Sequence, residues 1–123
     1  MQFPQKTPAD VTRAFDAALP DDPRLERRKM FGFPAGFVGG NMFAGTFGES
    51  VVVKLPEAER ARALDQGAST FEPMPGRVMR EYVVVPPPAL ADEAQLRGWV
   101  QRAFAYVAAL PPKDRTKPRK KAR

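Results

Sequence analysis

Neither cysteine nor histidine occurs among the 123 residues. Without cysteine there is no disulfide framework, thiolate nucleophile or zinc-finger pattern. Without histidine there is no imidazole base near neutral pH and no imidazole metal ligand. Whatever chemistry remains belongs to carboxylates, amines and hydroxyls, and neither a metal site nor a cofactor is expected. Long apolar runs are missing too. None approaches the ~18 residues that span a bilayer, and the opening MQFPQKTPADVTRAF lacks the apolar stretch of a signal peptide. A cytoplasmic location is the expectation.

The formal net charge of +6 looks like a nucleic-acid signal until it is divided along the chain. Seven of the 20 Lys and Arg lie in the last eleven residues, namely Lys113, Arg115, Lys117, Arg119, Lys120, Lys121 and Arg123. Asp114 is the only acid among them, so residues 1–112 hold 13 cations against 13 acids. A neutral body and a basic tail follow, and long-range attraction to polyanions must come from the tail.

Hydrophobic residues make up 43% of the chain, close to the globular average of about 45–50%, so the body has enough apolar surface to fold. One domain suits this length. The 14 prolines are roughly double the usual share of about 5%, and they fall at apparent element boundaries, where they end helices and shorten strands.

Thr7, Pro8 and Asp10 predict a helix start, with Val11, Ala14, Phe15, Ala18 and Leu19 on one face and Pro20 as the stop. From Leu25 to Leu55 the runs RLERRKMF, AGFV, NMFAGTF and SVVVKL read as strands in tight hairpins, with turns at Gly39-Gly40 and Gly48-Glu49. Pro56 opens a short helix whose predicted face is Ala58, Ala61 and Leu64, ended by Gly67. Phe71 to Arg77 carries two prolines and reads as extended or looped, and Met79 to Val85 as a further strand. Asp92 and Gln95 then cap a last helix with a broad stripe of Leu96, Trp99, Val100, Ala103, Phe104, Val107 and Leu110. The expected organisation is one α+β domain over residues 1–112 and a disordered basic tail over 113–123.

Three motifs stand in order: Met30-Phe31-Gly32, Gly40-Asn41-Met42-Phe43-Ala44, and Val51-Val52-Val53-Lys54. With Phe71, the Tyr82-Val83-Val84-Val85-Pro86 strand end and the Leu96 to Trp99 helix start, they resemble the N-terminal domain of the TfoX/Sxy family over roughly residues 25 to 110. The resemblance implies a two-layer α+β fold with helices packed on one face of an antiparallel sheet, a stand-alone single-domain member, and a link to regulation of natural competence.

Candidate sites are few. The glycine-rich GFPAGFVGG lacks a Gly-Lys-Ser/Thr ending and a GxGxxG pattern and precedes a hairpin rather than a helix, so tight turns explain it better than phosphate binding. Glu49, Glu72, Glu81, Ser50 and Ser69 offer carboxylates and hydroxyls, yet none sits in a recognisable catalytic constellation. An enzyme is not expected, and a carboxylate-based one is the distant alternative.

Strand alternation is more informative. If Val51, Val53 and Leu55 face the helices, Val52 and Lys54 face away, and Arg80, Tyr82 and Val84 share a face, as do Arg28 and Met30. An open, half-cationic sheet face carrying Arg28, Lys54, Arg80 and Tyr82 is the predicted partner-binding surface, for a protein partner or a second copy of the chain. The tail provides the alternative, weak and nonspecific nucleic-acid binding through its seven cations. The reading is therefore a non-catalytic regulatory or interaction module.

Overall fold

The computed structural model describes residues 8–30 and 32–111. It contains α1 (Ala9–Ala18), β1 (Glu26–Met30), β2 (Phe33–Val38), β3 (Asn41–Phe47), β4 (Ser50–Lys54), α2 (Glu57–Asp65), β5 (Ser69–Met74), β6 (Arg77–Val84), α3 (Pro87–Leu90) and α4 (Glu93–Ala108). The strands form one antiparallel sheet in the order β1-β2-β3-β4-β6-β5. This is the expected α+β class. The tail of residues 113–123, and with it every tail cation, lies outside the described residues.

The β1–β4 part is a meander whose turns are set by glycine. Gly39 and Gly40 both have positive φ, 62° and 83°, the backbone that a two-residue hairpin turn demands. Gly48, at φ 61°, reverses β3 into β4. The helices end on local signals too. The Asp92 carboxylate accepts hydrogen bonds from Ala94 N–H at 3.0 Å and Gln95 N–H at 3.1 Å, which satisfies free donors of the first turn of α4. After α2, Gly67 takes φ 105°; Ala68 N–H donates to Ala63 O and Gly67 N–H to Leu64 O, the paired bonds of a Schellman ending.

Helices α1 and α4 cover one face of the sheet. Phe15 and Ala18 of α1 and the α4 stripe from Leu96 to Val107 are buried against Val51, Val53, Leu55, Val83 and Val85. At its centre Phe43 meets Phe104 edge to face, centroids 5.1 Å apart.

Two local expectations are corrected and two are completed. Helix α1 begins at Ala9 with Pro8 as its N-cap and no side-chain cap bond, one residue later than the capping pattern predicts, and Thr7 lies outside the described residues. Of the extended and looped readings of residues 71–77 the extended one holds: most of them form β5 and its turn, and Pro73 is tolerated because β5 is an edge strand with no ladder partner on one side. The Pro86-Pro87-Pro88 run ends β6 and also starts the short helix α3, since proline suits a first helical turn. Finally, Ala58, Ala61 and Leu64, the predicted inner face of α2, are all exposed; Ala63 is buried in their place. The Arg60 guanidinium donates to Leu55 O at 2.6 Å, tying the helix to the end of β4 in that rotation.

Candidate partner-binding face

No helix among those described covers the other face of the sheet, yet much of it is buried. Ala35, Met42, Val52, Phe71 and Tyr82 form a second apolar cluster, with Met30, Phe37, Phe47, Met79 and Val84 packed around it. The alternation argument places residues on the correct sides, with Val51, Val53 and Leu55 under the helices and Val52 opposite.

Exposure is another matter. Val52 is 0% and Tyr82 8% exposed, so Tyr82 does not lie open. Its hydroxyl donates to Met42 O at 3.0 Å, and burial pushes its pKa up to about 12. The cause is a break in strand pairing. Thr70 of β5 pairs with Val83, but the next residue, Phe71, pairs with Met79, so β6 carries three extra residues there. A bulge of this kind bends the strand and sharpens its twist. The arm beyond it folds across the sheet and carries Phe71 toward Phe47. A row of edge-to-face rings results: Phe33–Phe47 at 5.3 Å, Phe47–Phe71 at 5.2 Å and Phe71–Tyr82 at 6.4 Å.

The same bulge separates two of the predicted site residues. Met79 and Tyr82 both pack in the second cluster, so alternation fails between them, and Arg80 is exposed where Tyr82 is buried. Lys54 stays beside Tyr82: its ammonium lies 5.9 Å from the ring centroid and 3.1 Å from a Glu81 carboxylate oxygen. Arg28 stands over Phe37 at 5.2 Å and pairs with Glu26 at 2.6 Å. Two strands, β2 and β3, lie between Arg28 and Lys54, a span of about 14 Å at ordinary strand spacing. Arg28 therefore stands apart from the other three, of which Tyr82 is buried.

What the face offers instead is a groove. It has a volume of about 480 Å³ and runs between the β3–β4 turn and β5, lined by Phe47, Phe71, Pro75 and Val84 with Ser50, Thr70 and Glu72 at its polar edges. Glu72 is held by Gly76 N–H at 2.7 Å. Beside the groove, on the bent hairpin arm, Met74 is 42% and Val78 46% exposed. Arg77 and Arg80 are exposed and make no ion pair with another described residue. Sequence reasoning misses this groove because it depends on the β6 bulge, for which the run Met79 to Val83 carries no turn or glycine signal.

Among the described residues no three of the acids cluster to hold a metal ion, and no helix is long and apolar enough to cross a membrane. The fold and the groove define an antiparallel α+β domain with one helix-covered face and one curled face. The family description TfoX N-terminal domain matches residues 18–107, and the chain belongs to that family. Comparison with curated proteins and with solved structures gives no match.

Proposed function

We propose that the chain is a non-catalytic interaction module of regulatory type, acting in the cytoplasm, which binds an extended segment of a partner protein in the groove between the β3–β4 turn and β5. The observation that carries the reading is the juxtaposition of an apolar groove with cations: Phe47, Phe71 and Val84 line it, and Arg77 and Arg80 stand on the adjoining arm without an acidic partner among the described residues. An apolar anchor flanked by acidic residues complements that surface in shape and charge. The regulatory part of the reading rests on the family's resemblance to competence regulators. The non-catalytic part rests on the missing imidazole and thiol.

Selection of displayed peptides against the full chain tests this. Enriched sequences should combine an aromatic or aliphatic anchor with Glu or Asp nearby, and their amide-shift footprint should centre on Phe47, Thr70 and Glu72. Arg77→Glu with Arg80→Glu should abolish binding with folding intact. Enrichment of basic peptides, or a footprint on α4, would overturn the reading; concentration-dependent dimerisation through the same residues would make a second copy of the chain the partner instead.

A second reading is favoured by the division of charge. The seven tail cations against one acid support weak, sequence-independent contact with nucleic acid, carried by the tail and separate from the groove.

A further inference from the structure

Helix α2 is turned the wrong way for its own sequence. Leu64 is 42% exposed and Ala58 and Ala61 are exposed with it, while Glu59, Arg62 and Gln66 line a cleft toward α4. A local choice that opposes burial in this way is characteristic of a functional surface. The helices that bound the cleft are seated on different parts of the sheet. Helix α2 packs on β5 and β6, and α4 on β2, β3 and β4.

The cleft has a volume of about 210 Å³, and Leu55, Ala63 and Trp99 supply its apolar lining. Arg62 of α2 and Gln66, the residue that caps its end, are four residues apart and both line the cleft. Arg102 lines the opposite wall, its guanidinium 5.0 Å from the Trp99 ring centroid. Neither Arg62 nor Arg102 forms an ion pair with another described residue. Glu59 is the single acid in the lining, which leaves a net positive charge.

We propose that this cleft binds a small organic oxyanion, a carboxylate or phosphate monoester, held between the Arg62 and Arg102 guanidinium groups. Arginine presents a planar fork of donors that matches such groups, and Gln66 adds an amide donor. Glu59 accepts a hydrogen bond from a hydroxyl or amine elsewhere on the ligand, so a hydroxylated anion is favoured over a bare one. Ligand pockets run to about 300–1,000 Å³, and this smaller cleft suits a small ligand. The site lies on the helix-covered side of the sheet and is independent of the groove.

Trp99 is the only tryptophan, so its fluorescence and its indole N–H resonance report occupancy directly. The full chain is titrated with glycerol 3-phosphate, inorganic phosphate, malate and acetate, with glycerol and sodium chloride of matched ionic strength as controls. A saturable change with glycerol 3-phosphate places the ligand among phosphate esters; one with malate places it among hydroxy acids. Acetate should bind more weakly for want of any donor to Glu59, and inorganic phosphate for want of a hydroxyl that reaches Glu59 while the phosphate oxygens sit between the arginines. Arg62→Gln alone should weaken binding about tenfold, as expected for one lost charge-assisted bond, and Arg62→Gln with Arg102→Lys should weaken it further, while Arg13→Gln on α1 leaves it unchanged. Unchanged melting temperatures distinguish loss of binding from loss of fold. No saturable response to any of the four anions, a response equal to that of sodium chloride, or binding that survives in the double variant would overturn the proposal.

Discussion

The rings of Phe47 and Phe71 meet edge to face with centroids 5.2 Å apart, although β4 and β6 lie between their strands in the sheet. Strands separated by two others stand about 14 Å apart in a flat sheet. The contact therefore measures how far the β5–β6 arm folds over, and it accounts for a buried cluster on a face without a helix. Phe71 is 3% exposed, so Phe71→Ala should cost about 3–5 kcal/mol in chemical denaturation. Met74→Ser, at an exposed position of the same arm, should stay within about 0.5 kcal/mol.

Tyr82 gives the chain a weakness at alkaline pH. Its pKa rises from 10.0 to about 12 on burial, so between those values the unfolded chain has lost the phenolic proton while the folded one retains it. The folded state then binds more protons, and stability must fall as pH rises. Urea midpoints measured from pH 9 to 11 should decline in the native chain and decline less in Tyr82→Phe. At neutral pH that variant should itself lose about 1 kcal/mol, because the buried Met42 carbonyl loses its donor.

Gly36 is required for space rather than for backbone freedom. A Cβ built there would lie 2.9 Å from Phe43 Cζ and 3.2 Å from Leu19 Cδ2, and Phe43 is 0% exposed and packed on Phe104. Gly36→Ala should therefore destabilise by about 1–3 kcal/mol through overpacking. A melting temperature equal to that of the native chain would show that the ring has room to move.

Trp99, 6% exposed, packs in the main core and also contributes to the α2–α4 cleft. Trp99→Ala should cost about 3–5 kcal/mol. A loss under about 1 kcal/mol would mean that the ring contributes to the cleft and little to the core.

Salt dependence tests the tail. Each neutralised phosphate releases condensed counterions, so log affinity for duplex DNA should fall with log salt at about −0.9 per contact. With seven cations and one opposing acid, a total slope between about −3 and −6 is expected, with no preference among sequences. A chain shortened to residues 1–112 has no net charge and should not bind. Binding retained by that chain at a similar slope would place the nucleic-acid site on the folded body.

What the sequence determined by itself was local or periodic. Glycines that need positive φ fixed the hairpin turns, Asp92 the start of α4, and the spacing of Leu96, Trp99, Val100, Ala103, Phe104 and Val107 the face that α4 buries. Alternation in Val51-Val52-Val53-Lys54 assigned each residue to its side of the sheet, because a strand has no other choice. Tertiary structure decided which of those sides meets water. The β6 bulge between Met79 and Val83 bends an arm over the far face; this buries Tyr82, leaves Arg80 exposed and opens the groove beside Phe47. In α2 the 2.6 Å bond from Arg60 to Leu55 O and the Schellman ending at Gly67 accompany a rotation opposite to the apolar pattern of Ala58, Ala61 and Leu64. The bulge depends on which strands become neighbours, and the Arg60 bond, a side-chain contact only five residues long, leaves no apolar pattern; neither has a period that a linear sequence can display.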